Sequence, residues 1–120
     1  MKVSDILRVK GSTLFTCAPE QALSVALQTL ADNDIGSLVV MSYGDLIGML
    51  TFREVIAAIV RNGGSVGTLT VSTVMDATPL VCKPETEIDE VRRMMLGRHA
   101  RYMPALDGRS EEHTSELQSQ

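Results

Sequence analysis

The sequence predicts an α/β (α+β) fold made of two β-α-β-β-α motifs, the second of which lacks its last strand and helix. The 120 residues are 44% hydrophobic and 22% charged, which is typical of a globular chain with an aliphatic core. A segment near the N-terminus recurs 65 positions later with the same apolar spacing. Short apolar runs bounded by turn residues alternate with helical patterns in the first copy.

The repeat is clearest between "LFTCAPEQALSVALQTL" at 14–30 and "PLVCKPETEIDEVRRMM" at 79–95. The two copies share a Cys, a Pro and a Glu in the same order, followed by apolar residues at i, i+3 and i+7. The matched pairs are Cys17/Cys82, Pro19/Pro84, Glu20/Glu85, Leu23/Ile88, Ala26/Val91 and Leu30/Met95. A shorter segment, "VSDIL" at 3–7, is similar to "VSTVM" at 71–75.

The elements of the first motif follow from local signals. A short strand at 14–17 leads to Pro19, whose fixed φ suits the first turn of a helix that should run to about Asn33. "GSLVVM" and "LIGMLT" then read as two strands joined by the turn "SYGDL". "FREVIAAIVRN" reads as the closing helix, ended by two glycines. Two helices can then cover one face of a small sheet.

We divide the chain accordingly into a first motif at 1–64, a linker at 65–70 and a partial second motif at 71–108. "GGSVGT" at 63–68 is rich in glycine but lacks the Lys of a phosphate-binding loop, so we assign it to the linker.

The last segment, 109–120, is almost entirely polar. "RSEEHTSELQSQ" has no apolar period, although a strand and a helix should follow Gly108 if the repeat continued. It resembles the translation of a common sequencing-library adapter. We therefore predict a non-native, disordered tail, in which His113 has no function; the alternative is a natural disordered tail.

Composition excludes several functional classes. The formal net charge is −4 and aromatic residues make up 3% with no Trp, which disfavours a nucleic-acid surface. No charged N-terminal region followed by an apolar stretch opens the chain, and no apolar run approaches the roughly 18 residues that span a bilayer. We expect a cytoplasmic protein with no membrane contact.

No catalytic or metal constellation is visible. Cys17 and Cys82 lack the spacing of a disulfide framework or a zinc site, so we expect two buried, reduced thiols. His99 has no nucleophile or acidic partner at a recognised spacing. We predict that the protein is not an enzyme and needs no cofactor or metal.

The paired motifs resemble a tandem of CBS domains, the regulatory motif named after cystathionine β-synthase. The resemblance covers residues 1–108 and rests on "VSDIL" and "VSTVM", the T/V-C-x-P-E entry into the first helix, "LIGMLTFREV" and "RYMPAL". It implies two motifs packed about a pseudo-twofold axis, a Bateman module, which forms a homodimer through its CBS motifs. It also implies adenosine-containing ligands bound in clefts between motifs.

The resemblance places the ribose contacts on Thr51 and Glu54, where "GMLTFRE" passes from strand to helix. A carboxylate can accept from two ribose hydroxyls, and a helix N-terminus offers free N–H groups to an anion. The family usually has Asp where this chain has Glu54, so the carboxylate sits one methylene further out. A simpler interpretation is a helix capping box with no ligand.

The resemblance supplies the rest of the ligand site from other strands and from the second motif. Adenine would pack on Met49, Thr78, Leu80 and Val81, and phosphates would meet Arg98, His99 and Arg101. As an alternative, the three basic residues form a solvated helix end. The equivalent first-motif segment contains Asp34, so we expect at most one good cleft.

We therefore predict a regulatory sensor in which an adenine nucleotide, AMP, ADP, ATP or S-adenosylmethionine, biases the dimer and signals to an unknown effector protein. One alternative is a ligand-free dimerisation or interaction module. Another is a regulatory fragment of a larger enzyme, such as an IMP-dehydrogenase-like protein.

Overall fold

The structure is a computed structural model that describes residues 1–10, 14–106 and 114–118. It divides into two compact units. The central unit is Phe15–Thr78, and the terminal unit combines Met1–Leu14 with Pro79–Gln120. Residues 109–113 and 119–120 of the predicted tail lie outside the described residues.

The elements follow the predicted order through the first motif. In chain order they are α1 (Val3–Lys10), β1 (Thr16–Cys17), α2 (Leu23–Asn33), β2 (Ser37–Ser42), β3 (Asp45–Thr51), α3 (Phe52–Arg61), α4 (Val71–Val74), α5 (Ile88–Arg98), β4 (Tyr102–Leu106) and β5 (Thr114–Gln118). The mixed α+β fold predicted from the sequence is confirmed.

The central unit is a three-stranded sheet with the order β1-β2-β3. β1 runs parallel to β2, and β2 pairs antiparallel with β3. Its core joins the predicted stripe of α2, Leu23, Ala26 and Leu30, to Leu38 and Leu50, which face each other across β2 and β3. The i, i+3, i+7 spacing therefore marks the helix face that is buried against the sheet.

The short leading helix of each repeat packs with the other repeat. Val71 of α4 is fully buried in the central unit, and its N–H donates to Gln21 O at 2.9 Å. Val3 of α1 is fully buried in the terminal unit, and its N–H donates to Thr86 O at 2.9 Å. Gln21 and Thr86 are 65 positions apart, so the same bond is made twice, reciprocally.

This exchange changes the domain boundaries. Each compact unit contains segments of both sequence repeats, so neither matches the division at 1–64 and 71–108. The assigned linker at 65–70 is also more than a linker: Val66 and Leu69 pack against the central core, and Leu69 O accepts from Leu23 N at 2.9 Å. Sequence spacing does not reveal that the apolar side chains of this Gly-rich stretch pack against the core.

The terminal unit repeats the same strand plan. Cys82 bridges Ala105 in parallel, as Cys17 pairs with Val40 in the central unit. β4 pairs antiparallel with β5. Its core gathers the predicted stripe of α5 with buried residues of α1 and β4, namely Val3, Cys82, Ile88, Val91, Met95, Met103 and Ala105.

The expectation that no strand follows Gly108, and that the tail is disordered throughout, is wrong for Thr114–Gln118, which forms β5. Leu117 pairs with Met103, the register that Leu50 has with Leu38 in the central unit. A strand edge offers backbone N–H and C=O groups to any Pro-free segment, so pairing does not require an alternating apolar pattern.

A close backbone approach fixes α4 to the sheet of the central unit. Met49 N donates to Asp76 O at 2.9 Å, and Asp76 N donates to Met49 O at 2.8 Å. A Cβ added at Gly48 would lie 2.7 Å from Asp76 O and 2.8 Å from Met75 Sδ. Glycine is therefore required at position 48 for this contact.

Gly48→Ala should destabilise the protein by about 1 to 3 kcal/mol, because the backbone of Asp76 must move to admit the methyl group. Urea unfolding measures the loss. Gly97→Ala is the matched control, since a Cβ at Gly97 in α5 meets nothing within 4 Å. An equal loss in both variants would contradict the close-approach argument.

The β2–β3 hairpin turns through two residues with positive φ, Tyr43 at 50° and Gly44 at 82°. This is the geometry of a type I′ turn, which favours Asn-Gly. The Tyr43 side chain is fully exposed, so no packing offsets the steric cost of its left-handed backbone.

Tyr43→Asn should raise the free energy of unfolding by about 1 kcal/mol, because Asn tolerates the left-handed conformation better than Tyr. Chemical denaturation of the two proteins checks the sign. Tyr43→Ala keeps a Cβ and removes only the ring, so we expect little gain from it. A gain as large as that of the Asn variant would mean that the exposed ring, and not the backbone, is unfavourable.

Candidate functional site

The predicted ribose-contacting pair lies at the junction of β3 and α3. Thr51 is the N-cap of α3 with an extended backbone, and Glu54 is the third helical residue. The two form a capping box in which Glu54 Oε1 accepts from Thr51 N at 2.8 Å and from Thr51 Oγ1 at 2.6 Å. Both residues are only partly buried, so the pair is held rigidly while remaining within reach of solvent.

Met49 and Thr78, predicted to contact adenine, are linked through Asp76. The backbone of Asp76 pairs with that of Met49, and its Oδ1 accepts from Thr78 N at 2.9 Å. Met49 is 3% exposed, whereas Thr78 is exposed. Sequence reasoning missed Asp76; its signal was the Asp-x-Thr spacing, which is typical of a turn closed by an Asp side chain.

The other five predicted residues belong to the terminal unit. Leu80 is half-buried against the core and Val81 is 39% exposed. The three basic residues lie on the connection from α5 to β4, where Arg98 ends the helix, His99 caps it with a φ of 53° and Arg101 precedes the strand. All three are exposed. The structure thus places four of the nine predicted residues in the central unit and five in the terminal unit.

Both cysteines are buried, as predicted. Burial raises the pKa of each thiol to about 11, because the thiolate loses solvation in an apolar environment. Neither is therefore an activated nucleophile at neutral pH. Among the described residues, no three of His, Cys, Asp and Glu come together as a metal site would need.

The family model for the CBS domain matches residues 3–61, which run from α1 to the end of α3. This chain belongs to the CBS-domain family. The match begins at α1, so the family motif takes its first helix from the terminal unit and its sheet from the central one. The exchange of leading helices therefore lies within the CBS motif itself.

One CBS-domain relative is the mitochondrial CBS domain-containing protein CBSX3 of Arabidopsis thaliana, to which this chain is 23% identical over 113 residues. The match covers 87% of this chain and 55% of that protein, so the chain spans about half the length of this relative.

Solved CBS-domain structures share the fold. A CBS-domain-containing protein from Agrobacterium tumefaciens superposes with a TM-score of 0.89 at 25% identity, covering 98% of this chain and 93% of that one. A CBS domain pair in complex with 5′-methylthioadenosine and S-adenosyl-L-methionine gives 0.85 at 19% identity, covering 99% and 90%. In the described part of this CBS-domain protein, no helix has the length and apolar character to cross a membrane.

The central CBS unit also contains a pocket of about 220 Å³ alongside α3 and α4. Its wall carries Glu54 towards the start of α3 and Arg61 at the end, with apolar residues between them; the lining is Glu54, Ala58, Arg61, Asn62, Leu69, Thr73 and Val74. The spacing of positions 54, 58 and 61 indicates one face of α3 from the sequence alone. The sequence does not indicate that Thr73 and Val74 line the same pocket, because α4 belongs to the other repeat.

Thr51→Ala should lower the free energy of unfolding by about 1 kcal/mol, because it removes the hydroxyl of the capping box. Glu54→Gln keeps an acceptor oxygen and should cost less. Thermal and urea unfolding without ligand measure both. Thr29→Ala is the control, since the Thr29 hydroxyl donates within α2 to Val25 O and caps nothing. If Thr51→Ala left the free energy of unfolding unchanged, the capping box would not stabilise α3.

Proposed function

We propose that this protein is a regulatory CBS-pair module, not an enzyme, that binds an adenine nucleotide and signals through a homodimer. The observation that carries the proposal is the Thr51–Glu54 junction, where a hydroxyl and a carboxylate are held 2.6 Å apart at a helix N-terminus. We place the module in the cytoplasm, where it signals to an effector protein.

The chemistry of the junction suits a ribose. The capping box uses Glu54 Oε1 for both Thr51 donors, and Oε2 lies outside the box. A ribose diol can donate one hydroxyl to each carboxylate oxygen, so a ligand can share the carboxylate with the cap or replace one of its bonds. AMP, ADP, ATP and S-adenosylmethionine all carry this diol.

The proposed phosphate contacts come from Arg98, His99 and Arg101. All three are exposed, and Arg can bind phosphate oxygens with two parallel hydrogen bonds. Met49, Thr78, Leu80 and Val81 are the proposed adenine contacts. The structural neighbour with bound 5′-methylthioadenosine and S-adenosyl-L-methionine supports ligands of this class for the fold.

A homodimer is supported by the outer face of α3. Phe52, Ile56 and Val60 are 52%, 60% and 73% exposed and lie four residues apart, so they form one apolar stripe along the helix. The opposite face already packs Val55 and Ala58 into the core. A helix that is apolar on both faces is normally covered on both faces. A second copy of the chain would cover the outer face of α3.

The same observations support a second candidate, a ligand-free dimerisation or interaction module. The capping box by itself accounts for Thr51 and Glu54, and the α3 stripe needs only a protein partner. Because the chain spans 55% of the Arabidopsis relative, this module could also serve as the regulatory part of a longer chain, including an enzyme such as an IMP-dehydrogenase-like protein.

Isothermal titration calorimetry with AMP, ADP, ATP and S-adenosylmethionine decides between the two. We expect at least one to bind, and Glu54→Gln and Thr51→Ala each to weaken binding by roughly tenfold or more. Glu54→Asp introduces the side chain that is usual in the family, and this variant should bind the nucleotide more tightly. Each titration is run well below the melting temperature, so that lost capping does not mimic lost binding.

Glu20→Gln is the matched control, because it removes an exposed carboxylate of the same unit outside the junction. If no nucleotide binds the folded protein, the sensor proposal is wrong and the interaction module remains. Binding that survives both Thr51→Ala and Glu54→Gln would place the ligand elsewhere.

A further inference from the structure

Formal charge is distributed unevenly along the chain. Phe15–Thr78 contains six acidic and two basic residues, or −4, whereas Met1–Leu14 with Pro79–Gln120 contains nine acidic and nine basic residues, or 0. Within the terminal unit, residues 1–14 with 79–106 contain five acidic and eight basic residues, or +3, and residues 107–120 contain four acidic residues and one basic residue, or −3. Charge asymmetry of this kind affects how a protein associates with other molecules, including copies of itself.

The asymmetry is sharpest at the C-terminal ends of the equivalent helices α2 and α5. Asp32 lies in the last turn of α2 and Asp34 is its C-cap, and this turn holds no basic residue. A helix C-terminus carries partial negative charge, so carboxylates there are unfavourable. Gln28 Nε2 donates to Asp32 Oδ1 at 2.8 Å, but a neutral amide does not neutralise the charge.

The matching end of α5 is basic. Arg98 lies in the last turn of α5, Arg101 follows the helix and Arg93 lies at its middle, and all three are exposed. The acidic residues of this helix, Asp89 and Glu90, are confined to its first turn. Leu96, 75% exposed, lies among the arginines, and Val25, 47% exposed, lies on α2, so each helix also offers apolar surface to a partner.

We infer that two copies of the chain associate head to tail, with the acidic end of α2 from one copy against the arginine-rich end of α5 from the other. This inference rests on the homodimer of the proposed function and specifies its orientation. In a twofold dimer the contact forms twice. The opposite orientation would place α2 against α2 and α5 against α5, and would therefore set like charges against each other.

Charge reversal tests the orientation. Asp32→Lys with Asp34→Asn makes the end of α2 positive, and Lys in a last helical turn does not oppose folding. Arg93→Glu with Arg101→Glu changes the summed charge at positions 93, 98 and 101 from +3 to −1. In a head-to-tail dimer, either pair should weaken self-association by about tenfold or more at low salt, and the combined four-substitution variant should regain it. Sedimentation equilibrium without nucleotide measures each dissociation constant.

Mixing experiments separate the two orientations further. In a head-to-tail dimer, wild type and the four-substitution variant repel each other, so native mass spectrometry should find the two homodimers and little heterodimer. In the opposite orientation the heterodimer is the favoured species. Glu20→Lys with Glu85→Gln is the control, since it changes the net charge as Asp32→Lys with Asp34→Asn does but leaves both helix ends intact; self-association should not change.

A monomeric wild type at all concentrations would overturn the homodimer of the proposed function. A dimer that is insensitive to either reversal, or that prefers the heterodimer on mixing, would overturn only the head-to-tail inference. Failure of the four-substitution variant to regain self-association would overturn that inference as well.

Discussion

The reciprocal exchange of the leading helices is the constraint on which the rest of the structure depends. Val71 and Val3 are each fully buried in a unit built mainly from the other repeat, through N–H bonds to Gln21 O and Thr86 O. A four-residue helix such as α4 could not persist alone in water, so it is stabilised by this burial. Neither repeat can complete a core from its own sequence.

The exchange also accounts for the position of the candidate site. The chain after α4 adds Asp76 to the edge of β3 through two backbone hydrogen bonds to Met49, and Gly48 leaves room for it. Two residues further along β3, Thr51 caps α3 and holds Glu54. The strand that leads to the proposed ribose contacts is thus fixed on both sides, by β2 and by Asp76. A carboxylate positioned in advance loses less conformational entropy when a ligand binds.

The two repeats differ in charge at the C-terminal ends of α2 and α5. The apolar stripes of α2 and α5 match position by position, because both must cover a small sheet. Their exposed ends are not under that packing constraint, and they carry opposite signs, with Asp32 and Asp34 on one and Arg98 and Arg101 on the other. Core packing therefore preserves the repeat, while surface charge distinguishes its two copies.

The sequence by itself determined the mixed fold, the elements of the first motif, the helix faces that form the two cores, the buried thiols and the capping pattern of Thr51 and Glu54. These features depend on short-range periodicity and on residue preferences at helix ends, which a sequence displays directly. It also located Arg98, His99 and Arg101 on one connection, since they are neighbours in the chain.

Only the tertiary structure decided which unit each leading helix joins, that Val66 and Leu69 belong to the core, that Asp76 lies beside Met49, and that Thr114–Gln118 pairs with β4. These depend on contacts between residues far apart in the chain, and backbone hydrogen bonds at a strand edge leave no apolar pattern to read. A local pattern specifies which face of an element is buried, but not which distant segment covers it.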